Sequence, residues 1–116
     1  MTVKELNDTI CRILNEKKAE DITILEIGHL TIIADYMVIA TARSTAQAKA
    51  LAENLEDKLA KEQIEPLRVE GIREGRWVVL DYGSTIVHIF NDETRMLYCL
   101  DKLWADGTNL TKYEAE

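Results

Sequence analysis

Only two cysteines, Cys11 and Cys99, occur in 116 residues, and neither has a second cysteine or a histidine at a metal-ligand spacing. That argues against a zinc site and fits reduced thiols in the cytoplasm. Long apolar runs are also missing: charges interrupt the opening MTVKELNDTI, and no stretch approaches the length of a membrane span. A signal peptide and a transmembrane helix are therefore not expected. The chain has no GxxxxGK or GxGxxG loop for phosphates and no serine or cysteine elbow for nucleophilic catalysis. Proline occurs once, at Pro66, and there is neither an internal repeat nor a low-complexity segment. Positive charge is the scarcer sign, 14 basic residues against 21 acidic, for a net charge of -7. Such a molecule repels phosphate backbones, so direct non-specific binding to nucleic acid is not expected. Contact with an RNA-rich assembly should run through a basic protein on it.

What is present, at 47% hydrophobic content, is enough for the core of one domain. Thr2-Val3-Lys4-Glu5 is a capping box that starts an amphipathic helix reaching about Lys18, with Leu6, Ile10, Ile13 and Leu14 on its buried stripe and Asn7 turned outward. Ile22 to Ile27 reads as a short β-branched strand, and Leu30 to Ala34 as either a turn of helix or extended chain. Tyr36 to Thr41, YMVIAT, is almost wholly apolar, as a central strand buried on both faces would be. A second capping box, Ser44-Thr45-Ala46-Gln47, opens the longest helix, with Ala48, Leu51, Ala52, Leu55 and Leu59 inward, and Pro66 is expected to end it by pushing Glu65 out of the helical region.

A half-exposed strand, Leu67 to Glu70, precedes a loop to Gly75. The stretch RWVVLDYGSTIVHIF, Arg76 to Phe90, then reads as two strands joined at Gly83-Ser84, where glycine supplies the positive φ of a tight turn. Alternation sets Trp77, Val79 and Asp81 on one face and Val78, Leu80 and Tyr82 on the other. Neither face is polar, so the hairpin must lie in a sheet covered at least partly on both sides or offer a surface to a partner. A third helix is expected from Asn91 or Asp92, with Met96, Leu97, Leu100, Leu103 and Trp104 on its stripe and Gly107 closing it. The predicted class is α/β (α+β): a small mixed sheet of about five strands with three helices. The domain covers residues 1–107, and the polar, aperiodic tail 108–116 is expected to be disordered.

Two polar residues interrupt the apolar hairpin, Asp81 and His88. On adjacent strands they could form a carboxylate-imidazole pair for general-base chemistry; the simpler reading has Asp81 binding the turn amides and His88 as a semi-buried structural residue. Nucleotidyltransferases share this element order and carry paired carboxylates after a Gly-Ser turn to hold magnesium. Here the strand after Gly83-Ser84 is Ile86-Val87-His88-Ile89-Phe90, and it lacks them. Trp77 beside Arg76 can be a core anchor or the centre of an interface.

Taken together, ADYMVIATARS (Ala34 to Ser44), VEG (Val69 to Gly71), W-x-x-x-D-x-G (Trp77 to Gly83), IVHIF (Ile86 to Phe90) and R-x-x-Y-x-L-x-x-LW (Arg95 to Trp104) resemble the ribosomal silencing factor family, also called Iojap-like. Leu97 and Asp101 depart from the family pattern, which has an aromatic and a glutamate there. The resemblance implies a nucleotidyltransferase-like fold without activity and without a cofactor. It also implies binding to the large ribosomal subunit through its protein fourteen, which blocks joining of the small subunit and represses translation under nutrient limitation. A homodimer of the free protein is a further implication. The contact residues it carries over are Trp77, Asp81, Arg95 and Tyr98. The competing readings are an interaction domain with another partner and a metal-dependent nucleotidyltransferase. Against the second, magnesium plus a nucleotide should leave the thermal unfolding curve unmoved. A linked stabilisation above about 2 kcal/mol, the scale reached near a hundred-fold excess of ligand over its Kd, would restore the enzyme reading.

Overall fold

A computed structural model describes residues 1–91 and 105–114. Among these residues the chain forms two helices and a six-stranded mixed sheet, in the order α1 (Val3–Glu16), β1 (Glu20–Glu26), β2 (Tyr36–Ala42), α2 (Thr45–Lys61), β3 (Arg68–Glu70), β4 (Trp77–Asp81), β5 (Thr85–Asn91) and β6 (Leu110–Lys112). The strands lie side by side as β3-β4-β5-β2-β1-β6. Thus the mixed α/β class holds, with one strand more than the sequence suggests. The expected third helix lies outside the described residues, apart from its ends.

The first helix begins as the capping box dictates. The Glu5 amide donates to Thr2 Oγ1 and the Thr2 amide to Glu5 Oε1, each at 3.1 Å. Its apolar stripe is buried, and so is Asn7, contrary to the outward position read from its polarity. Asn7 Oδ1 accepts from the Thr85 hydroxyl at 2.6 Å, so a buried polar pair ties α1 to the first residue of β5. The second helix is capped by Ser44, whose Oγ accepts from the Gln47 amide at 3.0 Å. Gln47 does not complete a capping box; its carboxamide instead bonds the Arg43 amide and the carbonyls of Lys17 and Lys18, clamping the exit of α1.

Proline does not end α2, which stops at Lys61. Gln63 takes the left-handed conformation at φ 62°, and the amides of Gln63 and Ile64 return to Ala60 and Leu59. Those bonds satisfy the last carbonyls before Pro66 is reached.

β2 occupies the interior of the sheet, parallel to β5 and antiparallel to β1, and all of it beyond Tyr36 is buried. One face of the sheet packs on both helices, joining Leu6, Ile10, Leu14, Leu51, Leu55 and Leu59 to Val38, Val78, Leu80, Val87 and Ile89. The opposite face carries a second cluster of Leu25, Ile27, Met37, Ile39 and Phe90, against which Trp77, Ile86 and Ala105 pack. A hairpin apolar on both sides follows from this two-sided burial.

Within the stretch 108–116, expected to be disordered, Leu110–Lys112 form β6, which pairs with β1 from Leu25↔Leu110 to Thr23↔Lys112. Asp106 folds the chain back by accepting from the amides of Thr108 and Asn109 and bonding His29 at 2.6 Å. Asn109 then exchanges bonds with the Glu26 backbone. An edge strand is held by main-chain groups, so it needs no apolar periodicity, which is why a polar sequence concealed it.

The hairpin turn has Gly83 at φ 86°, as its sequence requires, and Gly71 at φ 79° sets the approach to β4. A Cβ on Gly71 would collide with the backbone carbonyl oxygen of Trp77, whereas one on Gly83 would meet only Leu67 Cδ1, at 3.7 Å. Gly83→Ala should therefore cost about 1–2 kcal/mol of conformational strain. Gly71→Ala should add to that the roughly 1–3 kcal/mol of a steric clash. Urea unfolding of both variants measures the difference, and equal losses would contradict the packing of Gly71 on β4.

Candidate protein-docking site

Cross-strand register decides which side chains share the face away from the helices. Arg68 stands opposite Asp81 and Glu70 opposite Val79; across the hairpin, Trp77, Val79 and Asp81 stand opposite Phe90, His88 and Ile86. Paired residues project to the same side. One face therefore gathers Arg68 and Glu70 from β3, Trp77, Val79 and Asp81 from β4, and Ile86, His88 and Phe90 from β5.

The face grades from closed to open. Phe90 is fully buried, and Trp77 is half-buried, stacked on it with centroids 5.1 Å apart. Val79, Asp81 and Ile86 are also half-buried and, with Arg68 and Glu70, line a shallow hollow of about 50 Å³. Apolar side chains floor this hollow and three charged ones rim it. Arg68 reaches Asp81 at 3.6 Å and Glu70 at 3.9 Å, contacts too exposed to fix it in place. That composition, with an aromatic anchor at its side, suits contact with a protein surface.

The polar residues are committed locally. Asp81 Oδ1 accepts from the Gly83 amide at 2.8 Å, bracing the turn. His88 Nδ1 accepts from the Trp77 indole N–H at 2.9 Å. In register His88 stands beside Val79, two positions from Asp81. The carboxylate and imidazole thus have separate partners, and the structural reading of both residues holds. Of the sequence-predicted contact residues, Trp77 and Asp81 come together on one face, while Arg95 and Tyr98 lie outside the described residues. Arg68, Glu70, Val79 and Ile86 were missed. The alternation Arg68-Val69-Glu70 carries the signal, but its register against β4 is not written in it.

Among the described residues no three of His, Cys, Asp and Glu converge as a metal-binding group would. Cys11 is buried, and burial pushes its thiol pKa up to about 12, so it serves as a small packing group. Cys99 lies outside the described residues. No helix among those residues is long and apolar enough to cross a membrane.

A small α/β module that holds a half-buried tryptophan beside a charge-rimmed hollow has the attributes of a binding protein. The chain belongs to the ribosomal silencing factor family, whose sequence model, described as ribosomal silencing factor during starvation, matches residues 1–116. It is similar to ribosomal silencing factor RsfS of Halalkalibacterium halodurans, 38% identical over 108 residues covering 92% of each chain. It is also similar to a crystal structure of a Chromobacterium violaceum protein at TM-score 0.87 and 32% identity, covering 90% of this chain and 87% of that one. A mouse relative, mitochondrial assembly of ribosomal large subunit protein 1, is 31% identical over 84% of this chain and 44% of its own length.

Burial pulls the His88 pKa down from 6.5 to about 4. Between those values the unfolded chain binds the proton and the folded one does not, so stability falls as the pH falls. His88 should thus contribute stability fully above pH 6.5 and lose it down to about pH 4, by about 3 kcal/mol in all. Denaturant unfolding at pH 7 and pH 4.5 should show a smaller acid loss for His88→Leu than for the parent; equal losses would mean that other groups carry it.

Proposed function

We propose that this protein binds the large ribosomal subunit through its protein fourteen and blocks joining of the small subunit, repressing translation when nutrients are limiting. The half-buried Trp77, which shares with Asp81 the sheet face away from the helices, is the observation that carries the reading. Family membership supports it, as does the mouse relative, whose name ties that protein to the large ribosomal subunit. A net charge of -7 favours a basic protein over RNA as the contact, with attraction that weakens as salt rises. Arg95 and Tyr98, the other contact residues that the family resemblance implies, are part of the same proposal. Inhibition needs only occupancy: a bulky acidic body on the joining face opposes the small subunit sterically and by repulsion of its RNA.

Purified subunits mixed with excess protein should stay separate on a sucrose gradient, with the protein on the large one. Trp77→Ala should weaken that binding by about 2 kcal/mol, the hot-spot scale. Its stability loss should stay below the roughly 3–5 kcal/mol of a fully buried aromatic truncation. Sedimentation with the small subunit, or unchanged joining at saturation of the large one, would favour an interaction domain with another partner.

A further inference from the structure

We infer that the loop between β1 and β2 is a docking knob: Ile32 and Ile33 at its crest enter an apolar cleft flanked by lysine or arginine side chains on the partner. The inference rests on the reading above that the partner is a basic protein of the large subunit. Ile32 is fully exposed, Ile33 is 68% exposed and Leu30 is exposed beside them. Single exposed hydrophobic residues are ordinary, but two adjacent isoleucines at a loop crest are not turn chemistry, which favours glycine, proline, asparagine, aspartate and serine. Nor is the loop a slack tether. The amides of Ile27 and Gly28 donate to the Asp35 carbonyl at 2.8 and 3.1 Å and close its neck, and those of Leu30 and Thr31 return to the Ile27 carbonyl at 2.9 and 3.1 Å. The Ile33 amide donates to Thr31 Oγ1 at 3.2 Å, and Ala34 is buried. Backbone held this way before contact loses less freedom on binding.

Main-chain bonds place this loop. The amides of Asp35 and Tyr36 both donate to the Ser84 carbonyl, at 2.9 and 3.0 Å, so the loop rejoins the sheet beside the β4–β5 turn. On the other side of that turn stands the exposed Leu67, whose amide donates to the Asp81 carbonyl and whose Cδ1 would lie 3.7 Å from a Cβ on Gly83. Arg68 follows it into the hollow. Exposed apolar side chains thus run along one end of the sheet and continue into the proposed docking face. Charge decides what fits them. From Ala19 to Ala42 the chain has four carboxylates and neither lysine nor arginine, and 81–91 and 105–110 hold no lysine or arginine either. Glu26 and Asp35 are exposed at the two ends of the loop, and Asp106 bonds its His29 at 2.6 Å. Arg68, near Leu67, stands between Glu70 and Asp81. Carboxylates around an apolar crest repel RNA and anionic lipid, and they repel the same end of a second copy. A basic protein is attracted to them.

The test is the Kd of the full chain for purified large subunits, measured over a range of salt. Ile32→Ser should raise it about tenfold, the scale of one aliphatic side chain taken out of water, and Ile32→Ser with Ile33→Ser should raise it further. Ile32→Leu, which keeps the apolar bulk, should bind as the parent does. None of these exposed changes should move the thermal unfolding curve, which separates a docking role from a folding one. Glu26→Gln with Asp35→Asn should slow association and flatten the salt dependence of Kd. Parent affinity in the double serine variant would overturn the inference, and an unchanged salt dependence in the carboxamide variant would overturn the basic cleft. Sedimentation equilibrium of the free protein covers the other occupant. A dimer abolished by the two serines, with large-subunit affinity kept, would overturn the inference and assign the crest to self-association. If the parent does not bind large subunits at all, the function proposed above fails; if the parent and the double serine variant bind equally, only this inference does.

Discussion

The parallel pairing of β2 with β5 is the constraint on which the rest of the fold depends. Seven residues of each strand run side by side, from Tyr36↔Thr85 to Ala42↔Asn91. Parallel neighbours cannot be joined by a tight turn, so the chain between them must leave the sheet and return. It does so through α2, which covers one face, and then through β3 and β4, which extend the edge before β5 enters the middle. The β4–β5 hairpin is the last part of that return. Its position beside β2, with Phe90 buried beneath Trp77, is a consequence of how the crossover closes.

Polar groups in this framework act mainly as fixings. Asn7 binds Thr85 where β5 begins, Asp81 braces the turn, and His88 holds the indole of Trp77. Each takes up a donor that burial would otherwise strand, and such pairs favour one arrangement of an apolar sheet over its neighbours. Among the described residues this leaves the hairpin face closed at Phe90 and half-open at Trp77, Val79, Asp81 and Ile86, with Arg68 and Glu70 beside the last three. A surface of that kind recognises by shape and charge, and the proposed mechanism of occupancy asks no more of it.

Much of this was legible in the residues. The Thr2 capping box, the central position of YMVIAT, the Gly83 turn and the shared face of Trp77 and Asp81 are all local statements, and each holds because capping, alternation and φ preference act over a few residues. The places where the reading fails are equally specific. Asn7 looked exposed because its partner, Thr85, is 78 residues away. Pro66 looked like the helix end because the left-handed turn at Gln63 gives no glycine signal.

By itself, then, the sequence determined the local elements, the two-sided burial of the central strands, the acidic balance and the family. Only the tertiary structure decided the register that sets Arg68 against Asp81, the β1 edge that captures Leu110–Lys112, and the bond from Trp77 to His88. The physical reason is the range of the interactions involved. Capping and periodicity are set by neighbours along the chain, whereas edge pairing and cross-strand register depend on main-chain groups that any sequence possesses, and their partners are chosen only when the whole sheet closes.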